Sequence, residues 1–147
     1  MHVIDTNVLV YAANEDTPEH AACAQRLHAL REGMAPSYVT WGILYEFVRV
    51  VTHPRVFRLP WSPSRAWSFT GRLLADGKVR PLLHGARHLE IAAQLAAEVP
   101  GLSGNLLFDA QTVALMREHG IRRIWTRDAD FYRFSGIEVL DPLRAEG

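Results

Sequence analysis

Short apolar runs alternate with segments of helical periodicity along this chain, and that alternation limits the possible folds more than any other feature. The runs with the length of buried strands are residues 2–5, 35–39, 79–83, 121–126 and 138–140. The intervening segments with helical character are residues 6–13, 18–32, 41–51, 63–76, 86–98 and 105–119, with a short helical turn at 129–134. Strands alternating with helices form a parallel sheet covered on both faces. The sequence therefore predicts an α/β fold whose ligands bind at the carboxyl ends of the strands.

Residues that begin helices or interrupt strands refine these boundaries. Thr17 is the expected N-cap of the second helix, with Pro18 at its first position. Thr40 is the expected N-cap of the third helix, and Ser62 or Ser64 that of the fourth. Pro81 places the third strand at an edge of the sheet, because proline cannot donate a ladder hydrogen bond.

Composition excludes several classes of protein. The chain has 147 residues, which predicts a single domain spanning 1–147, and its 48% hydrophobic content argues against intrinsic disorder. Sixteen basic residues balance sixteen acidic ones, so a strongly cationic DNA-coating protein is not expected. Cys23 is the one cysteine, which excludes an intrachain disulfide. The start lacks a basic segment before an apolar one, so we expect no signal peptide and a cytoplasmic location.

Carboxylates in apolar surroundings are the candidate functional residues. Asp5 and Asp128 each follow a predicted strand, Glu46 lies inside the apolar segment 43–48, and Asp109 follows Leu-Leu-Phe. A carboxylate drawn into apolar surroundings is costly unless it is paired, hydrogen-bonded or bound to a cation. Acids gathered at one end of a sheet repel one another, and a divalent cation such as Mg²⁺ relieves that repulsion with oxygen ligands.

Each acid also has an ordinary structural explanation. Asp5 and Asp128 are suited to cap the helical segments that follow them, and Asp109 to the first turn of its helix. Glu46 is spaced to pair with Arg49. These explanations do not predict four such acids from separate segments, two of them at strand ends.

The same residues carry a resemblance. Val3-Ile4-Asp5-Thr6-Asn7, Glu46 in the third helix, Gly104 to Ala110 around Asp109, and Thr126-Arg127-Asp128-Ala129-Asp130-Phe131 resemble the motifs of PIN-domain ribonucleases. Their order and spacing are similar to those of the VapC toxins of bacterial toxin–antitoxin pairs. The resemblance covers the chain from Met1 to about Leu143.

The resemblance implies a PIN-like, Rossmann-like fold of three layers with a five-stranded parallel sheet between helices. It implies Mg²⁺- or Mn²⁺-dependent RNA cleavage, with Asp5, Glu46, Asp109 and Asp128 as the catalytic quartet. Of these, Asp5, Asp109 and Asp128 are the expected metal ligands, and Asp130 is a possible helper of Asp128. Thr126 matches the small hydroxyl residue that the family often has near the fourth acid.

Partners follow from the same resemblance: an RNA substrate, a VapB-like antitoxin that blocks the site, and a second copy of the chain. We expect the homodimer to use the third helix and the segment around Trp61 and Trp67. Arg49, Arg55, Arg58, Arg65 and Arg127 are candidate phosphate contacts, with a solvated surface as the alternative. For the tryptophans, core packing is the alternative to base stacking.

Three functions remain open at this stage. The first is the ribonuclease toxin, and the second is a PIN-fold nuclease that processes RNA without a toxin role. The third is a non-catalytic RNA- or protein-binding PIN module. The quartet argues against the third, because an inactive module gains nothing from acids that repel one another.

Overall fold

The computed structural model describes residues 1–144 and contains a five-stranded sheet, all of whose neighbouring strands are parallel. The strands are β1 (His2–Ile4), β2 (Ser37–Thr40), β3 (Val79–Leu82), β4 (Arg123–Trp125) and β5 (Glu138–Leu140). The helices are α1 (Thr6–Ala13), α2 (His20–Glu32), α3 (Trp41–Val51), α4 (Pro63–Leu74), α5 (His88–Glu98) and α6 (Leu106–Glu118). A 3₁₀ turn covers Ala129–Arg133. The predicted α/β architecture is confirmed.

The strand order is β3-β2-β1-β4-β5, so the chain moves outward from β1 in one direction and then returns to its other side. Crossovers between parallel strands are almost always right-handed, so this strand order predicts the helices between β1 and β3 on one face of the sheet and α5 and α6 on the other. The order reverses at β1, between β2 and β4, and ligands bind at such a switch point in open parallel sheets. β3 is an edge strand, as Pro81 predicts.

The core lies on both faces of the central strands. Val3 and Ile4 in β1 and Ile124 in β4 are fully buried, and Trp125 is the largest fully buried side chain. Cys23 is also fully buried, as expected for an inert thiol. Full burial of one large aliphatic side chain contributes about 1.5–3 kcal/mol. The rigid sheet formed in this way fixes the strand ends that carry acids.

Side-chain caps fix the starts of three helices. The Asp5 carboxylate accepts from the Thr6 N–H at α1, and the Thr40 hydroxyl accepts from the Ile43 N–H at α3. Ser62, one of the two residues expected to cap α4, caps it through the N–H of Arg65. Each such cap stabilises its helix by about 1 kcal/mol.

The predicted start of α2 is wrong. That helix begins at His20, and its N-cap, Glu19, makes no side-chain capping bond. The Thr17 hydroxyl donates instead to the carbonyl oxygen of Asn14, at 2.9 Å, where α1 has just ended. Thr17 and Pro18 therefore belong to the turn between the helices. Within residues 1–144, no helix is both long and apolar enough to cross a membrane.

Candidate active site

The four acids singled out in the sequence meet at the carboxyl edge of the sheet. Asp5 follows β1, Glu46 lies on α3, Asp109 lies in the first turn of α6, and Asp128 follows β4. All four line the same cleft of about 370 Å³ and also a second cleft of about 860 Å³. Because β1 and β4 are paired, with Ile4 opposite Trp125, the residues that follow them are neighbours.

Asp5 is the most buried of the four, with 7% of its surface exposed. Its Oδ2 accepts from the Thr126 hydroxyl at 2.7 Å and from the Asn7 Nδ2 at 2.9 Å, while Oδ1 accepts from the Thr6 N–H at 2.8 Å. Its backbone N–H donates to the Trp125 carbonyl, which ties the end of β1 to the end of β4. The carboxylate is therefore held in one orientation before any ligand arrives.

Thr126 and Asn7 connect Asp5 to Asp128. The Thr126 hydroxyl accepts from the Asp128 N–H and from the Asn7 Nδ2, both at 2.9 Å, while it donates to Asp5. The Asn7 Oδ1 accepts from the N–H of Arg127. Thr126 is fully buried, so this bridge is shielded from water.

Glu46 is positioned from α1. Thr6 donates its hydroxyl to the Glu46 Oε2 at 3.0 Å, and Arg49 lies 3.5 Å from Oε1. The pairing with Arg49 expected from the spacing is present, but the Arg49 and Glu46 side chains are 67% and 47% exposed, so it contributes little to stability. Asp5 caps α1, as expected, which leaves the Thr6 hydroxyl free to donate to Glu46.

Asp109, Asp128 and Asp130 form the tightest group of acids. One carboxylate oxygen from each lies within 4.8 Å of the others. The Asp128 Oδ1 accepts from the Asp130 N–H at 2.9 Å, which caps the 3₁₀ turn and aligns both residues. The capping role anticipated for Asp128 is therefore real and coexists with membership of the cluster.

Burial and mutual repulsion raise two pKa values. The pKa of Asp109 rises from 3.8 to about 7, first because of burial and then because of the charges of Asp128, Asp5, Asp130 and Glu46. Burial raises the pKa of Asp5 to about 6, against the opposing effect of hydrogen bonds from Thr126 and Thr6. Metal-free protein at neutral pH thus holds acids that resist full ionisation, as expected of a site built for a cation.

The acids separate two clefts of different chemistry. The smaller is lined beyond the acids by apolar and neutral residues of α1 and the α3 end, including Tyr11, Val50 and Val56. The larger runs between α3 and α6 and adds Tyr45, Arg49, Phe108 and Gln111. The acids therefore lie at the junction of two grooves.

The candidate phosphate-binding arginines differ in their contacts. Arg49 lines the larger cleft beside the acids. Arg58 pairs with Asp16, and Arg127 pairs with Glu19 and Asp141. The guanidinium of Arg65 lies 4.1 Å from the ring centre of Trp61. Among these four, Arg49 is the one that faces the acid-lined space.

Two tryptophans also have structural partners. Trp61 packs edge-on against Phe47 and Phe57, as the core-packing alternative predicts. Trp67 remains 37% exposed and packs edge-on against Tyr45.

Sequence reasoning missed the aromatic and amide lining of the larger cleft. Tyr45 precedes Glu46, Phe108 precedes Asp109, and Gln111 follows two residues later. Their positions next to the acids in the sequence could have identified these residues as part of the site. Tyr45 and Phe108 were instead assigned to apolar runs, although each is 64% exposed.

Comparison with known proteins gives consistent results. The PIN domain family model matches residues 2–137. Ribonuclease VapC43 of Mycobacterium tuberculosis is 36% identical over 143 residues, covering 97% of this chain and 96% of that protein. Ribonuclease VapC48 of the same organism is 33% identical over 139 residues, covering 95% of each.

A solved structure, VapBC2 from Rickettsia felis bound to a DNA fragment from their promoter, shares the fold with a TM-score of 0.67. It is 16% identical, and the match covers 95% of this chain and 96% of that one. The family model covers most of the chain, and the two ribonucleases match it over nearly its full length. This chain therefore belongs to the PIN-domain family and is of its VapC type.

Proposed function

We propose that this chain is a metal-dependent endoribonuclease and the toxin of a type II toxin–antitoxin pair. The observation that carries the proposal is the meeting of Asp5, Glu46, Asp109 and Asp128 from four separate segments at the junction of two clefts. A metal-dependent nuclease needs clustered carboxylates to hold the cation and an open path for a polymer. The names of the VapC ribonucleases that match the full chain give the reaction class.

The acids fit a hard divalent cation, Mg²⁺ or Mn²⁺. All the candidate ligands are carboxylate oxygens, and those of Asp109, Asp128 and Asp130 lie within 4.8 Å of one another. The raised pKa values of Asp5 and Asp109 reflect burial and an excess of negative charge, which a bound cation would balance. We assign Asp5, Asp109 and Asp128 as metal ligands and place Asp130 beside Asp128.

The protein's own residues prepare the reaction. When bound, a divalent cation lowers the pKa of a water molecule and neutralises charge on the phosphate. Thr126 and Asn7 hold Asp5 in its ligand orientation, and Thr6 holds Glu46. Glu46 lines both clefts and would orient the attacking water, and Arg49, which lines the larger cleft, would contact the phosphate.

Protein partners belong to the same proposal. A VapB-like antitoxin would cover the acid-lined junction and so block substrate entry. We also propose a homodimer through α3 and Trp67, because Trp41 at the start of α3 and Trp67 are 42% and 37% exposed and lie outside the larger cleft. Trp61, expected at this surface, packs instead against Phe47 and Phe57. A monomeric mass by light scattering at micromolar concentration would contradict the dimer.

Induced expression of the chain alone tests the toxin function. We expect growth arrest with the wild type and normal growth with Asp5→Asn at equal protein level. Asp76→Asn is the matched control, because Asp76 is an exposed partner of Arg31 outside both clefts. Sequencing of RNA ends after brief induction identifies the target. Undiminished arrest by Asp5→Asn would remove Asp5 from the mechanism.

Purified protein separates the nuclease function from the alternatives. Cleavage of RNA that requires Mn²⁺, without growth arrest on expression, would favour an RNA-processing nuclease over a toxin. RNA binding without cleavage would favour a non-catalytic module.

A further inference from the structure

The larger cleft is lined by two helices and by the group of acids. One wall is α3, with Tyr45 and Arg49, and the other is α6, with Phe108 and Gln111. Asp109, Asp128 and Asp130 also line the cleft. Its volume of about 860 Å³ is within the range of small-ligand sites.

Aromatic rings are exposed on both walls. Tyr45 and Phe108 are each 64% exposed, which leaves ring surface open to the cleft. The Tyr45 ring packs edge-on against Trp67, with ring centres 5.2 Å apart and planes at 80°. That contact limits the orientations of the Tyr45 ring, so less entropy is lost when a flat ligand stacks on it.

Hydrogen-bonding groups along the same cleft have no partner of their own. Among residues 1–144, the side-chain amides of Asn105 and Gln111 line the cleft and form no hydrogen bond with another residue. The Gln111 Oε1 lies against Gly42 on α3, where a Cβ atom would be 3.3 Å away. Gly42 is the second residue of α3, and its lack of a side chain leaves room for the amide.

We infer that this cleft is a nucleotide-binding subsite, in which Tyr45 and Phe108 stack a base next to the scissile phosphate and Gln111 reads its edge. This subsite rests on the proposed ribonuclease function, and the part of the RNA that it binds is the base next to the scissile phosphate. Arg49 supplies the cation for the neighbouring phosphate. Unstacked bases in single-stranded RNA are recognised by this combination of aromatic faces and polar groups.

Two other occupants are less consistent with the lining. A second copy of the chain or a partner helix would bury Tyr45 and Phe108 against apolar side chains. Either would also bury the free amides and carboxylates of the cleft without compensation. A ribonucleotide has a flat base, polar base edges and a phosphate, which match the aromatic rings, the amides and Arg49.

Steady-state cleavage of a single-stranded RNA oligonucleotide with Mn²⁺ tests the subsite. For Tyr45→Ala and Phe108→Ala we expect KM to rise about tenfold, as loss of one base–aromatic stack implies, with kcat changed less than threefold. Tyr45→Phe keeps the ring and should reverse most of the rise in KM seen with Tyr45→Ala. Gln111→Ala should change the order of preference among oligonucleotides of the four bases.

Matched controls come from the same surface. Leu107, beside Phe108, and Tyr132 are 51% and 71% exposed and line neither cleft. Their alanine variants should leave KM unchanged. The same RNA annealed to its complement should be cleaved with a higher KM by the wild type, and with no further rise in Tyr45→Ala.

Different results would contradict the subsite and the proposed ribonuclease function. Cleavage by the wild type with KM within twofold in both Tyr45→Ala and Phe108→Ala overturns the subsite alone. A raised KM accompanied by a lower mass in sedimentation assigns the rings to contact between copies and also overturns it. Absence of cleavage by the wild type overturns the proposed function and the subsite with it.

Discussion

Asp5 and Glu118 are both nearly buried carboxyl groups, yet their surroundings act on them in opposite directions. Burial raises the pKa of Asp5 to about 6, and the nearby charges of Glu46 and Asp128 add to that effect. Burial also acts to raise the pKa of Glu118, but the Gly85 N–H and the His88 side chain outweigh it and hold the pKa below its usual value. The His88 Nδ1 lies 3.3 Å from the Glu118 Oε2.

Helix α6 carries both situations, with Asp109 near its start and Glu118 at its end. The Glu118 side chain on α6 contacts the loop that follows β3. A Cβ atom on Gly85 in that loop would lie 2.5 Å from the Glu118 Oε1, so a side chain at position 85 would displace the Glu118 carboxylate. Asp109 instead faces Asp128, Asp5, Asp130 and Glu46. Donors near Glu118 favour its charged form, whereas carboxylates near Asp109 disfavour its charged form, which a bound cation would restore.

The largest expected effect is at Asp109. Asp109→Asn should lower RNA cleavage by about 100-fold or more and abolish most of the rise in melting temperature that Mn²⁺ gives the wild type. Without metal the variant should be as stable as the wild type or more stable, because close like charges repel by about 1 to 4 kcal/mol. Thermal melts with chelator and with Mn²⁺ measure this. Equal metal-induced shifts in the two proteins would exclude Asp109 as a ligand.

Thr126→Val should have the next largest effect. The substitution keeps the shape of the side chain but removes the hydroxyl that donates to Asp5 and accepts from Asn7 and Asp128. Loss of such a supporting contact typically weakens metal affinity by about 10- to 100-fold. Calorimetric titration with Mn²⁺ measures the change. Thr126→Ser should restore binding, and failure to do so would indicate that the methyl group matters instead.

Glu118→Gln should change the stability of the protein in the direction opposite to Asp109→Asn. We expect the melting temperature to fall by about 4 °C, because the neutral amide replaces the charge-assisted contacts of the carboxylate with the Gly85 N–H and His88 by weaker ones. Mn²⁺ should raise the melting temperature of this variant as much as that of the wild type. The same acid-to-amide change would then stabilise one end of α6 and destabilise the other. A stability gain at Glu118 would invalidate the contrast.

The smallest expected effect is a pH dependence. Because the pKa of Asp109 is raised to about 7 in the native state from 3.8, the native state keeps a proton that the unfolded chain releases. Metal-free wild type should therefore lose stability as pH rises from about 4 to about 7. Asn does not titrate, so the melting temperature of Asp109→Asn relative to wild type should increase between pH 5 and pH 8 in chelator. Because solvent screens this partly exposed carboxyl group, we expect an increase of about 3 °C rather than the full value that the pKa shift implies. A constant difference would argue against the raised pKa.

Local patterns in the sequence were sufficient for most elements. Alternation of apolar runs and helical segments predicted the parallel sheet, and Pro81 predicted the edge position of β3. Thr40 was identified correctly as a cap because its hydroxyl serves the helix directly after it. Thr17 was misassigned because its hydroxyl serves the preceding helix, and the sequence does not specify which of two flanking segments a side chain will contact.

The sequence by itself determined the candidate acids, because carboxylates within apolar segments are costly wherever the chain folds. Tertiary structure decided which groups surround each acid. Asp5 meets Thr126 across 121 positions of sequence, and Thr6 meets Glu46 across 40. Tertiary structure also placed Tyr45 and Phe108 on facing walls of one cleft, although both lie in runs that suggested a buried core. Contacts between distant segments depend on strand order and helix packing, and local residue patterns do not encode either.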